Sequence, residues 1–396
     1  MLCGRAYCPL LVRRRALRVA TAAGDELYGS SPPSVFVGRS GYPRVRVAAL
    51  APPVTGDTSM YDYPEAWAGL PVEDVLSMRL SLIRGYRLAD VRRPRERWLE
   101  ELRLVALSER PVELEARLRG RPRGLLFDEH VPPLGPGAPM EEFRVAGEPR
   151  LGRALERAYG DVDMGAGEAI VYLYERGVPV SRIARALSVG ALGAGRRRRL
   201  VPTRWSITAV DDVVSRSLLG RVRGMPELGE ILVYVHRAVR NVFAAILFPG
   251  PWGYEWIEAW YPHTAWNPTG RLEVEGDWEG YRGRSSYASL GGCYYAARLA
   301  AAEHLARLGR QARVLVVREI YEGFYTPIGV WFVREHVRRL FREAPYRASD
   351  AWDAVRFLSL HTRLGPRDWV RHSRLLREEL GQRRITEWVT PGGQVR

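Results

Sequence analysis

The sequence predicts an α+β fold: a large mixed N-terminal domain built on an antiparallel sheet, a smaller and mainly helical C-terminal domain, and a flexible C-terminal tail. Three observations carry this. Short runs rich in β-branched and aromatic residues recur as far as Trp260, as strands require. Apolar residues at helical spacing prevail from Gly292 onward. A polar, glycine-bearing stretch, Glu273 to Ser286, lies between the two regimes. The chain has 396 residues, 46% of them hydrophobic, which suits two or three globular domains. The predicted divisions are residues 1–15, 16–275, 276–380 and a tail, 381–396.

Val35-Phe36-Val37 and Val45-Arg46-Val47 read as two strands joined by the turn GRSGYP. Pro71 opens a helix that places Val72, Val75, Leu76, Leu80 and Ile83 at helical spacing. A second helix is predicted over Arg95–Leu107, then an alternating strand over Val112–Leu118. HVPPLGPGAP, His130 to Pro139, is too rich in proline and glycine for regular structure and reads as a surface loop or a joint. Ile170, Leu173 and Tyr174 share one helical face, Ile183, Ala184 and Leu187 the next, with Gly177-Val178-Pro179 between. The pair resembles a helix-turn-helix, which would face DNA. Asp211 and Asp212 read as the cap and first-turn acid of a helix over Val213–Leu219. Strands follow over Glu230–His236 and Asn241–Phe248. In a strand through Trp260, residues Tyr254, Trp256, Glu258 and Trp260 share one face, Glu255 and Ile257 the other. Gly291-Gly292 opens a long helix to Leu308, with Cys293 as a buried apolar residue. Val314–Ile320 is a buried strand, and Pro327–Phe341, Ala351–Leu360 and Ser373–Leu380 are helices.

The formal charge is +15, and all 60 basic residues are arginines. The lack of lysine excludes a P-loop lysine, a Schiff base and a nucleotidyl-lysine intermediate. Arginine stays charged at any working pH and presents a fork of donors that matches phosphate. The positive excess predicts a polyanionic partner. No run approaches the roughly 18 apolar residues of a membrane span, and the N-terminus lacks a signal peptide's apolar core. A cytoplasmic protein is expected.

The stretch RRRRLVPTRWSITAVDD sets Arg196, Arg197, Arg198 and Arg199 beside Arg204, Trp205 and Ser206, and is the predicted wall of a cleft for nucleic acid or a nucleotide-like ligand. Trp256 and Trp260 can stack on bases there, or equally be core. Asp211, Asp212, Glu255, Glu258 and His263 include the ligand types of a hard-metal nuclease site, while Arg204, Ser206 and Glu255 could instead hold a nucleotide cofactor. Helix capping or pairing with arginine explains the carboxylates equally. Glu255, set among aromatics, needs a partner, and an arginine is the simplest one. Cys3 and Cys8 can place two thiolates on one zinc ion, which needs four ligands. In the tail, Gln382, Ile385 and Trp388 have the Q-x-x-I-x-x-W spacing of a clamp-binding peptide, with Val389 where a second aromatic usually stands.

LCGRAYCP, GRSGYP, PTRWSITAVDD, PWGYEWIEAWYP, GGCYYAAR and the tail peptide together resemble the archaeal Nre family of DNA repair proteins, over nearly the whole chain. The resemblance implies a large N-terminal and a smaller C-terminal region, a part in the DNA damage response, and binding through the tail to the archaeal sliding clamp, the homologue of proliferating cell nuclear antigen. It also implies a four-cysteine zinc finger, of which Cys3 and Cys8 match the second pair. The first pair is absent, so the start is truncated or the metal site degenerate. No catalytic mechanism comes with it. The expected function is a clamp-tethered DNA repair factor; the alternatives are a nucleic-acid-processing enzyme, either a metal-dependent nuclease or a nucleotide-using transferase, and a noncatalytic adaptor.

Overall fold

The computed structural model describes residues 24–94 and 96–381, with Leu11 and Arg14. Cys3, Cys8, Gln382, Ile385, Trp388 and Val389 lie outside the described residues. The chain forms two compact units. One takes the chain to Ser217 together with Thr326–Glu335, the other Leu218–Tyr325 together with the chain from His336. Both are mixed, as the α+β expectation requires.

In the first unit the elements run β1 (Glu26–Ser31), β2 (Ser34–Val37), β3 (Arg44–Ala51), α1 (Val72–Ser81), β4 (Ile83–Asp90), α2 (Arg97–Leu107), β5 (Val112–Leu118), β6 (Gly137–Val145), α3 (Arg153–Gly160), α4 (Ala166–Glu175) and α5 (Val180–Ser188), then α6 (Thr203–Val222). The sheet order is β1-β5-β6-β4-β3-β2, antiparallel except for the β4–β6 pair. GRSGYP is the predicted turn: Gly38 N donates to Arg46 O at 2.8 Å, and Gly41 takes a φ of 81° that favours glycine. Ala48 and Leu50 of β3 pack with Leu82, Val131 and Leu134 in the core.

Three expectations change here. The proline-rich segment after His130 is buried, not a surface loop. Its prolines carry no N–H to satisfy, and its carbonyls have donors: Arg79 Nε to Pro133 O at 3.1 Å, and Arg84 Nε to Gly135 O at 2.7 Å. A side chain at Gly135 would meet the carbonyl oxygen of Leu82 at 2.3 Å, so only glycine fits this close approach. Next, α4 and α5 do form a helix pair, hinged at Gly177 with φ 76°. But α5, the helix that would read DNA, is buried at Val180 and from Ile183 through Ser188. A helix packed on all sides cannot enter a groove, so this is no DNA-facing helix-turn-helix. Last, the helix expected to begin at Asp211 begins at Thr203, just after Pro202, and both aspartates lie in its middle.

The second unit contains β7 (Ile231–Ala238), β8 (Asn241–Phe248), β9 (Gly253–Trp260), β10 (Glu273–Glu279), α7 (Gly292–Leu308) and β11 (Arg313–Ile320). Beyond α8 (Trp331–Leu340), whose first five residues belong to the first unit, come β12 (Tyr346–Ala348), α9 (Ala351–His361), α10 (Pro366–His372) and α11 (Arg374–Gly381). The order is β10-β9-β11-β8-β7-β12, with only β9 and β11 parallel. A parallel pair needs a long crossover, and the segment holding β10 and α7 supplies it. One face of the sheet, with Ile246, Ile257 and Leu315, packs on Val355 of α9, Trp369 of α10 and Leu376 of α11. Tyr254, on the other face, donates its hydroxyl to the Tyr294 carbonyl of α7 at 3.3 Å. The polar stretch from Glu273 begins with β10, paired along β9 inside this unit. No helix among the described residues is long and apolar enough to cross a membrane.

Candidate functional site

The candidate carboxylates are engaged within the protein. Arg334 Nη1 donates to both oxygens of Asp211, at 2.7 and 2.8 Å, and both side chains are buried. Asp212 lies 3.7 Å from Arg216, one turn along α6. Glu255 does not pair with a guanidinium as expected. It accepts from Ser373 Oγ at 2.6 Å and from the backbone N–H groups of Arg374 and Leu375 at 2.8 and 2.9 Å. It therefore caps the start of α11, where orphan amides and the helix dipole favour an anion. Burial raises its pKa, against those hydrogen bonds. Glu258 accepts from Arg318 Nη1 at 2.9 Å, and burial raises its pKa too, opposed by Arg318 and by a hydrogen bond from Cys293. Cys293 is half-buried at the start of α7. His263 is exposed, in the loop after β9. Among the described residues, no three His, Cys, Asp or Glu side chains cluster to hold a metal ion. Trp256 is fully buried in the second unit and offers no face to a ligand; Trp260 is half-buried.

The arginine run divides. Arg196, Arg197 and Arg199 are exposed, while Arg198 turns inward, donating to Gly193 O and Asp161 O at 2.7 Å each. Arg204 lies 3.3 Å from both Asp128 and Glu129. Trp205 is 46% exposed, with its ring 5.5 Å from that of Tyr42. Ser206 points the other way, fully buried, and lines a pocket.

That pocket lies within the first unit and has a cavity volume of about 60 Å³. Phe36 of β2, Val131 and Pro132, Ile207 of α6 and Trp331 form apolar walls. Thr203 and Ser206 come from the first turn of α6, the positive end of its dipole. Thr203 Oγ1 accepts from Val37 N at 2.9 Å, which ties this turn to β2. Three guanidinium groups, Arg79, Arg185 and Arg334, complete the lining. Arg185 donates to Pro33 O at 2.6 Å and Asp62 O at 3.1 Å. Arg79 spends Nε on Pro133 O and Nη1 on Tyr61 O and Asp62 Oδ1, at 3.1, 3.1 and 2.8 Å. Its guanidinium carbon also lies 5.8 Å from the centre of the Trp67 ring. Burial lowers the pKa of both Arg79 and Arg185, and Asp62 opposes it. His130, also in the lining, is pushed down to about 4 by burial and then by Arg204, so its ring is neutral near pH 7. A largely apolar pocket with a few convergent polar groups is the usual form of a small-ligand site.

The sequence reading missed Arg79 and Arg185, yet each carried a signal. Both stand on the apolar stripe of a helix, Arg79 among Val75, Leu76 and Leu80, Arg185 among Ile183, Ala184 and Leu187. A charge on a buried face must have partners.

The comparisons with known proteins agree along the chain. The model for the N-terminal part of archaeal Nre matches residues 2–267, and that for the C-terminal part matches residues 279–388. The DNA repair protein NreB of Archaeoglobus fulgidus is 46% identical over 378 residues, 95% of each chain. The DNA repair protein NreA of Haloferax volcanii is 38% identical over 348 residues, covering 85% of this chain and 83% of its own. NreA of Archaeoglobus fulgidus is 35% identical over 353 residues, 87% of each. No solved structure matches. With both models matched in order, and with these relatives spanning most of its length, the chain belongs to the archaeal Nre family.

Proposed function

We propose that the chain is a DNA repair protein of the DNA damage response. In this reading it holds a phosphorylated, nucleotide-like ligand in the arginine-lined pocket and is recruited to the sliding clamp by Gln382, Ile385, Trp388 and Val389. The repair role is supported by relatives named DNA repair proteins that align with up to 95% of the chain. Clamp recruitment is supported by the Q-x-x-I-x-x-W spacing, since residues three apart, such as Ile385 and Trp388, would share one side of a helical turn if the tail formed one.

The ligand reading rests on one observation: the guanidinium group of Arg79, 2% exposed, lines the pocket together with those of Arg185 and Arg334. Buried guanidinium groups converging on one pocket favour an anionic oxygen. The start of α6 pulls the same way, and Phe36 and Trp331 offer flat apolar area for a ring system. The test is thermal unfolding with inorganic phosphate, nucleosides and nucleoside monophosphates, on the wild type and on Ile207→Trp, which fills the pocket without removing a guanidinium. A monophosphate at a hundred times its Kd stabilises the wild type by about 2.7 kcal/mol, the matching nucleoside does so less, and Ile207→Trp responds to neither. Equal stabilisation of wild type and variant, or none by any phosphate compound, refutes the pocket assignment.

A further inference from the structure

Outside the pocket, three loops of the first unit meet on its surface. Val91 N donates to Pro43 O at 2.9 Å, and Leu200 N donates to Val91 O at 3.0 Å. The β2–β3 turn, the loop after β4 and the loop before α6 are thereby held side by side. The turn brings Tyr42, 47% exposed, and the start of α6 brings Trp205, 46% exposed; their rings lie 5.5 Å apart and inclined at 51°. Two large aromatics, side by side and half open to water, waste apolar area unless something covers them.

The same loops carry exposed arginines: Arg39 and Arg44, Arg92 and Arg93, and Arg199. None of these five has a carboxylate partner among the described residues. With Arg204, these segments carry six guanidinium groups, against the acids Asp90, Glu96, Asp128 and Glu129. All of these acids are already engaged. Asp128 accepts from the His130 and Val131 backbone and from Arg204, Glu129 accepts from Arg204, Glu96 accepts from Trp98 Nε1, and Asp90 accepts from Arg92 N. The loops that carry the aromatic pair therefore also carry a positive excess.

We propose that this surface is a platform for single-stranded DNA. Unpaired bases stack on Tyr42 and Trp205, and Arg39, Arg92, Arg93 and Arg199 hold the flanking phosphates. Every unpaired base has an open π-face, whereas a duplex hides those faces in its own stack, so aromatic rings on arginine-bearing loops favour the single strand. An acidic peptide would use the arginines but leave the rings little to do. The proposal rests on the reading that the protein works on DNA. It is independent of the pocket and of the tail.

The experiment is fluorescence anisotropy on the full chain with a labelled single strand, the same sequence as a duplex, and an acidic peptide, over a salt series. The single strand binds tightest. Tyr42→Ala and Trp205→Ala each weaken it about 5- to 150-fold with the salt slope unchanged, and Trp205→Phe restores most of the affinity. Arg92→Glu with Arg93→Glu lowers the slope by about 0.7 for each phosphate that the protein ceases to neutralise. All these side chains are exposed, and circular dichroism confirms that the variants fold. Binding that is equal for single strand and duplex and unmoved by both alanine variants overturns the platform alone, as does preference for the peptide. No binding to any DNA overturns the underlying DNA reading and the platform with it.

Discussion

A buried guanidinium group has five N–H bonds to satisfy, and this chain satisfies many of them with backbone carbonyls. Arg103 donates to Val189 O at 3.0 Å and Pro94 O at 2.8 Å, much as Arg79 uses Pro133 and Tyr61. An ammonium group, with its donors on one atom, could not bridge such separated carbonyls. The exclusive use of arginine therefore has structural work to do as well as electrostatic. Histidine behaves differently, because it can shed its charge. Burial pushes His130 down to about 4, and His304 and His336 to about 3. Each lowered pKa contributes stability that is full above about pH 6.5 and is lost as the pH falls toward the folded value, since only the unfolded chain takes up the proton. His304→Phe keeps the ring stack on Phe341, where the centroids lie 4.4 Å apart. Between pH 7 and pH 5 this variant loses about 2 kcal/mol less stability than the wild type in urea unfolding. Parallel pH profiles would rule out His304 as a source of acid lability.

Among the elements, α6 depends most on a distant residue. Asp211, halfway along it, meets Arg334 of α8 within the first unit, and both are withdrawn from water. Arg334→Met leaves a carboxylate buried without its main counter-charge and costs about 3–5 kcal/mol; adding Asp211→Leu recovers most of that loss. A double variant no more stable than the single one would show that the pair is not coupled. The same helix shows what sequence can and cannot disclose. Its true start is hidden because two adjacent aspartates imitate one, while the arginine that explains Asp211 is 123 residues away. By contrast, β8 (Asn241–Phe248) and α7 (Gly292–Leu308) are legible to the residue, because their patterns are long and local. That Glu255 needs a partner is legible too, but backbone amides of a helix not adjacent in sequence leave no trace in residue identities. Trp205 and Ser206 stand out in the sequence as candidates, but not that one is exposed and the other buried in a pocket. The pocket's other walls come from segments too far apart in sequence for any spacing to reveal.

For the molecule as a whole, the proposed clamp-binding tail would act as a tether. Weak DNA contacts gain from a second attachment, because tethering converts a search in solution into a local one. Trp388→Ala abolishes capture of the full chain by immobilised sliding clamp, while the unfolding temperature stays unchanged; equal capture by both forms would dismiss the motif. The six-stranded sheet of the second unit carries one more consequence. Strand β11 comes from the part of the chain matched as C-terminal Nre, yet it lies between β8 and β9, which come from the part matched as N-terminal Nre. Neither portion could be exchanged for a foreign partner by recombination without leaving two strands with rows of open amides and carbonyls. Selection then acts against any crossover between them, and the two portions pass from parent to offspring as a single heritable piece.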